Sequence, residues 1–460
     1  MHSELADVNE DAGNNPTHGL ASASDTEFTE GGDNMIRRWL LCLTVLLSGF
    51  IGQYGSAADE TPLPGPDEKT EAAAKGGITL EELIILAESH SPTLRQAAAA
   101  VEAARGTAVQ VGLYPNPQLL GGANQIVGNQ SQYYAALSQE IVTMHKLQLN
   151  RSAATQAVIQ AEQEFVLTRF QLLTNVRQGY MMALAAQRRN EVLIRLVEIA
   201  TKSMQAAERL QQAGEGTRTD TLLFEIEVEK AEVAVENSEA RMKATRRELA
   251  AIIGIRDMDI GRINGNLLES LDQIAQQVLL DGYVPFNASV QIAQLEIEKS
   301  KFLIRRAEVE PYPNVTVYAG YQRQIEPALH NMGLLTLSLP IPLWNQNQGN
   351  ICSAYANLSK AYADVDTVQN TISKQMADAG GRYRISDQQA QRFERKIVPK
   401  AREGVKIIQE GFSQGQFDFL RLLQAQRILV ESNLGFIDAL ETRWGAAADM
   451  AGLAQIEQFP

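Results

Sequence analysis

Two stretches of the chain are written almost entirely in good helix formers. From Thr143 to Ala213, Ala, Gln, Glu, Arg and Leu dominate, with Gly179 as the only glycine and no proline. This pattern predicts one helix of roughly 70 residues, about 105 Å long at about 1.5 Å per residue. Gly214 and Gly216 punctuate its end, Thr219 and Asp220 supply capping chemistry, and a returning helix follows to about Ile253, just before Gly254. The second stretch runs from about Gly349 to Phe412, turns at Gly415 and returns to about Met450. Pro399 lies inside it and is expected to kink it. Helices of this length cannot bury their apolar stripes within one antiparallel pair, so lateral partners are expected.

A different period governs shorter segments. Between Gly333 and Trp344 the odd positions are Leu335, Leu337, Leu339, Ile341 and Leu343, while Thr336, Ser338, Pro340 and Pro342 fall among the even ones. Val315, Val317, Ala319 and Tyr321 share one face of a partner stretch, opposite Asn314, Thr316, Tyr318 and Gln322. Alternation over about ten residues reads as a strand with one apolar face. Strands are expected at 312–324 and 333–343, joined by a loop over 325–332, and at 116–127 and 132–142, joined by Gly128-Asn129-Gln130-Ser131.

The plan is written twice. Tyr114-Pro115-Asn116 recurs as Tyr312-Pro313-Asn314 after 198 residues, Leu137-Ser138 as Leu337-Ser338 after 200, and Gly214 through Leu222-Leu223 as Gly415 through Leu422-Leu423 after 200 to 201. Three ordered matches at nearly one offset indicate an internal duplication. Its halves are 78–285 and 286–455, each with a helix, two strands, a long helix, a tip turn (210–220 or 411–424) and a final helix.

The remaining residues read as leader sequence. Residues 1–34 are polar and acidic, with no apolar period, and read as a disordered extension or a mis-assigned start. Met35-Ile36-Arg37-Arg38, a short apolar run and Ser56-Ala57-Ala58 have the three parts of a secretory signal, placed at 35–58. Residues 59–77 contain three prolines and several charges and read as a flexible lead-in. Removing 1–58 changes the net charge from −14 to −8, since eight acids and two arginines go with it. An acidic chain does not suit nucleic acid. Two cysteines, Cys42 and Cys352, provide no disulfide framework and no Cys-based zinc site. Five histidines never fall at HExxH spacing, and no GxSxG or phosphate-loop pattern occurs, so neither an enzyme nor a resident cofactor or metal is expected. Met144-His145 and His330-Asn331-Met332 offer soft-ligand chemistry, and strand-end pairs of this kind are usually incidental.

An exported protein with lipid-length alternating strands suggests a transmembrane barrel, while a pair of soluble hairpins capping a helical bundle is the plainer alternative. In lipid a sheet must close, and four strands are too few, so several chains would each have to contribute four. A periplasmic coiled-coil scaffold or adaptor that never enters lipid is the competing function. The apolar spacing of 143–213 is not the strict 3.5 repeat such a scaffold favours.

Taken in order, Ile78-Thr79-Leu80-Glu81-Glu82-Leu83 with Ser91-Pro92, Tyr114-Pro115-Asn116-Pro117, Leu337-Ser338-Leu339-Pro340-Ile341-Pro342-Leu343-Trp344 with Gly349, and the Gly214–Glu225 and Gly415–Gln426 segments resemble the TolC family of outer-membrane efflux channels. The resemblance leans to the heavy-metal branch that serves cobalt-zinc-cadmium type pumps. It covers about 78–455. It implies a mainly α fold of very long antiparallel helices, an α-barrel, with four strands per chain in a trimeric transmembrane β-barrel. It also implies a homotrimer in outer-membrane lipid, a periplasmic adaptor and an inner-membrane transporter as partners, and passive passage of small molecules or metal ions. The family gate maps to the tips. Asp220 matches an acidic position there, whereas Arg421 and Gln424 stand where the family has acids, with Asp418 as a substitute. Trp344 would mark the periplasmic boundary of the membrane, where indole is favoured.

Overall fold

A computed structural model describes residues 77–459, apart from 125–130, 215, 270, 272–283, 326–328 and 415. The expected extension, secretory signal and lead-in lie outside the described residues except for Gly77. All the described residues belong to one unit, Glu68–Pro460.

The first helices begin where their caps dictate. Thr79 Oγ1 accepts the Glu82 amide at 3.3 Å, and the Glu82 carboxylate accepts the Thr79 amide at 2.9 Å, a capping box that starts α1 (Leu80–His90). Ser91 caps α2 (Pro92–Gln110), with Pro92 at the first helical position, where its missing N–H costs nothing.

Four strands form one antiparallel sheet in the order β1 (Gln118–Asn124), β2 (Gln132–Ile141), β3 (Val315–Ile325) and β4 (Leu329–Ser338). The last strand differs from the sequence reading. It starts four residues earlier and stops before Leu339, so His330, Asn331 and Met332 belong to the ladder with β3 and not to a loop. Pro340 and Pro342 have no amide to donate, which ends the ladder at Ser338.

The long helices follow. α3 (Lys146–Gln212) is unbroken over 67 residues and returns as α4 (Arg218–Ile253). A three-residue 3₁₀ turn, Val284–Phe286, leads into α5 (Ala288–Glu308). In the second half α6 (Gln348–Arg392) passes through a π-helical turn, Phe393–Ile397, into α7 (Val398–Ser413), and α8 (Phe419–Leu453) returns. The expected kink at Pro399 takes the form of an interruption in the bonding just before it: the ring cannot accept the standard bonding of the preceding turn, and a wider turn takes its place. Among the described residues, no helix is long and apolar enough to cross a membrane.

The main core gathers around the middle of α3. Leu172, Val176, Tyr180 and Leu184 recur every fourth residue and are buried against Leu83 and Ala87 of α1, Leu249 and Ile253 of α4, and Trp444, Ala447 and Ala451 of α8. The irregular segment 255–269 joins through Ile260, Ile263 and Leu267. Its backbone is tied down by Tyr180, whose hydroxyl donates to Asn264 O at 2.5 Å, and by Trp444, whose Nε1 donates to Leu267 O at 2.8 Å. Burial, helped by the charge of Glu269, pushes the Tyr180 phenol up to about 12. Arg177 is fully buried, donates to the Ile456 and Glu457 carbonyls, and stacks on Phe459 at 4.6 Å. Burial and the neighbouring charge of Arg169 lower its pKa to about 10.

Gly254 ends α4 with φ +95°, and a Cβ there would lie 2.9 Å from both His90 O and Pro92 Cδ. Gly254→Ala is expected to cost about 1–3 kcal/mol, through left-handed strain and displacement of the α1–α2 junction. Thermal unfolding in detergent should show the lower midpoint, and an unchanged midpoint would show that the junction yields freely.

Candidate functional site

Two parts of the molecule carry the chemistry of a conduit: the faces of the sheet and the helix tips. The ladders put residues from all four strands on common rows. One face carries Gln118–Ser138–Tyr318–Thr336 and, nearer the hairpin ends, Asn124–Gln132–Gln324–His330. Polar pairs cross it, such as Gln322 Nε2 donating to Gln132 Oε1 at 2.8 Å. The opposite face carries Leu119–Leu137–Ala319–Leu335, with Tyr133, Ile141, Tyr321 and Leu337 also on it and well exposed. Toward the hairpin ends this face passes Arg323 and Asn331 to the last row, Ile325 and Leu329; toward the helices it is continued by Leu339, Ile341 and Leu343 to Trp344, which is 87% exposed. An apolar outer face, a polar inner face and aromatic residues toward the ends are what a lipid-facing barrel wall requires.

The Tyr-Pro-Asn segment of the second half explains itself at the base of the sheet. Asn314 Oδ1 accepts from the Thr143 amide and from Lys146 Nζ, each at 3.2 Å, and Asn314 Nδ2 donates to Glu140 Oε1 at 2.7 Å. Buried Lys146 also donates to the Tyr312 and Glu310 carbonyls. This junction welds the end of β2 and the start of α3 to the turn from α5 into β3. The sequence shows the repeat of these residues but gives no sign of the bonds. Met144 and His145 both have φ of 55° at the same junction, His145 being the N-cap of α3. His330 and Met332 share the polar face of β4. No group of three or more His, Cys, Asp or Glu suited to a metal ion occurs among the described residues, and Cys352 is free and exposed.

At the tips the candidate residues sit close to the helix starts. Gly214, at φ +78°, ends α3, and the Gly216 amide donates to Leu210 O at 3.0 Å. Asp220 forms a capping box with Thr217, its carboxylate accepting the Thr217 amide at 3.2 Å and the Thr217 hydroxyl at 2.7 Å. Asp418 is the N-cap of α8, accepting the Arg421 amide at 3.1 Å. Arg421 lies over the Phe417 ring at 5.6 Å, and Gln424 is exposed. Gly415 lies outside the described residues.

Sequence reasoning did not single out what holds these tips together. Phe224 of α4 is wedged edge-on against Phe419 at 4.4 Å and Phe412 at 6.0 Å, with Ala207 and Leu422 completing a buried cluster. One phenylalanine thus ties the α3–α4 hairpin to the α7–α8 hairpin. A buried hydrogen bond supports it, from Gln426 Nε2 to Ser203 Oγ at 2.7 Å.

Comparison with known proteins agrees with this geometry. The chain is 25% identical to the cobalt-zinc-cadmium resistance protein CzcC of Cupriavidus metallidurans over 374 residues, which is 81% of this chain and 89% of that protein. Its fold is similar to that of the outer membrane protein VceC of Vibrio cholerae, with a TM-score of 0.68 and 18% identity over 82% of this chain and 95% of the other. It is also similar to CusC, with a TM-score of 0.70 and 16% identity over 82% and 91%. A third similar structure is the open-state MtrE channel of Neisseria gonorrhoeae, with a TM-score of 0.67 and 16% identity over 82% and 88%. The model of the outer membrane efflux protein family matches residues 83–255 and 286–452, the two repeats in turn. Proteins of this family are trimeric channels of the outer membrane, not enzymes, and they work with adaptors and inner-membrane pumps. The chain belongs to the outer membrane efflux protein family.

Proposed function

We propose that three copies of this chain assemble into one duct, engaged at its periplasmic end by an adaptor and an inner-membrane transporter, with divalent metal ions as its cargo class. The duct function itself follows from family and fold: the protein is an outer-membrane exit channel of a tripartite efflux system, reaching into the periplasm. The observation that carries the trimer is the sheet. Its apolar face matches lipid, its polar face matches a water-filled lumen, and the outer edges of β1 and β4 pair with no further strand among the described residues. Metal cargo is supported by the relative named for cobalt, zinc and cadmium resistance. Residues 59–460 purified in detergent are expected to have the mass of three chains, to show a belted hollow cylinder by electron microscopy and to conduct ions in planar bilayers. A compact particle without a detergent belt would overturn the duct.

The gate belongs to the same proposal. Asp220, Asp418, Arg421 and Gln424 would ring the narrow end, with the glycine turns at 214–216 and 415 setting its shape and Trp344 marking the membrane boundary at the other end. Because Asp220 also caps α4, Asp220→Asn is the informative change: it keeps a cap acceptor and removes the charge. Cation preference, read as the reversal potential in a salt gradient, is expected to fall. An unchanged reversal potential would take Asp220 out of the gate.

A further inference from the structure

The chain contains its own template for the seam between copies. Two shifts, 198 residues from β1 to β3 and 200 from β2 to β4, carry the first repeat onto the second. Applied to the β1–β2 ladder they reproduce the β3–β4 ladder pair for pair: Gln118↔Ser138 becomes Thr316↔Ser338, and Asn124↔Gln132 becomes Gln322↔Met332. The remaining ladder, β2–β3, joins one repeat to the other, and α3 packs on α5 beneath it. In a closed ring that junction must recur between the last repeat of one chain and the first repeat of the next.

We infer, resting on the duct reading, that β4 pairs with β1 of a second copy in one register, the β2–β3 register carried forward by the two shifts. Leu137↔Ala319 then gives Leu337 opposite Gly121 of the partner subunit. Ser138↔Tyr318 gives Ser338 opposite Leu120 of the partner subunit, and Ala135↔Tyr321 gives Leu335 opposite Ala123 of the partner subunit. Every such pair joins like faces, so the lipid face and the lumen face both continue across the seam. On the lipid face the large leucines of β4 meet the small residues of β1. Below the strands the exposed Trp344 comes to the level of the partner's Tyr114, itself 65% exposed within one chain. The edge helices α6 and α2 are brought together as α3 and α5 are within the chain.

The register also fixes the tilt of the strands in the barrel. Directly opposite residues run from Gln118 through Ser138, Tyr318 and Thr336 to the partner's Gly122, four residues further along β1 than the start. Repeated over three chains and twelve strands, this stagger tilts the strands by about 35°, at about 3.3 Å per residue and about 4.8 Å between strands. Transmembrane barrels lie at about 35–45°. Slipping the seam two residues one way would give about 19°, outside that range, and two residues the other way about 46°, at its upper limit.

Paired cysteines in the full chain, with Cys352→Ser as background, test the seam. Ser338→Cys with Leu120→Cys, and Leu335→Cys with Ala123→Cys, are expected to form a covalent ring of three chains on mild oxidation. The mismatched pairs Ser338→Cys with Gln118→Cys, and Leu335→Cys with Gly121→Cys, lie on the diagonal at about 7–8 Å and should link at least about tenfold more slowly. A particle of three chains in detergent that links faster through the mismatched pairs, or through none, would overturn the register and leave the duct standing. A particle of one chain would overturn the duct reading, and the seam with it.

Discussion

Leu335→Arg is expected to abolish stable insertion of the barrel, while Thr336→Arg, one residue along, is expected to be tolerated. Leu335 is 75% exposed in the single chain and shares its row with Leu119, Leu137 and Ala319. It lies between Trp344 at one end of the apolar face and the Ile325–Leu329 row at the other. An arginine near the middle of a lipid face costs about 2–4 kcal/mol, and a threefold assembly pays it three times. The charge of Thr336→Arg would face a lumen already lined by Gln, Tyr and Ser. The measurement is the yield of heat-resistant trimer from outer membranes for the two variants. Equal yields would mean that the two faces of β4 meet the same solvent, which a scaffold outside the membrane would require.

Phe224→Ala should open the tip locally without disturbing the sheet. The ring is 1% exposed and touches phenylalanines from both strands of the other hairpin. Emptying such a site typically costs about 3–5 kcal/mol. The cluster stands apart from the main core around Val176, Leu249 and Trp444, so the loss should be confined to the ends of α3, α4, α7 and α8. Amide hydrogen exchange should accelerate by at least about a hundredfold within residues 204–228 and 408–424, and remain as in the parent protein at 172–184. Acceleration spread over both regions would show that the tip and the core unfold as one unit.

The helices and the sheet were legible in the sequence because each is a local pattern. Sixty-seven residues of strong helix formers specify α3 whatever surrounds it. The start of β4 was misread for the same reason. His330-Asn331-Met332 looks like a loop in isolation and becomes strand because Gln322, Arg323 and Gln324 of β3 hold it in register. With Asn331 and Gly333 on its outer face, this strand end has no apolar alternation to announce it. Long-range meetings were out of reach altogether. Phe224 finds Phe412 and Phe419 some 190 residues away, and Arg177, which reads as a helix-surface charge, is buried beneath the chain end at 456–459. The candidate site was legible at the caps, where Thr217 and Asp220 lie three residues apart, and illegible in what binds one hairpin to the other.

The π-helical turn at Phe393–Ile397 belongs to only one of the two repeats. A residue taken up by such a turn adds length without its share of rotation, about 100°. Such a turn would set α7 at a different rotation about the helix axis from the matching part of α3. At the sheet the β1–β2 and β3–β4 ladders match pair for pair, so the proposed assembly of three chains would be nearly sixfold there. Past Phe393 that equivalence would be lost and only threefold symmetry would survive. Cargo travelling the length of the duct would leave through a ring of six like units, having entered through three of one kind alternating with three of another.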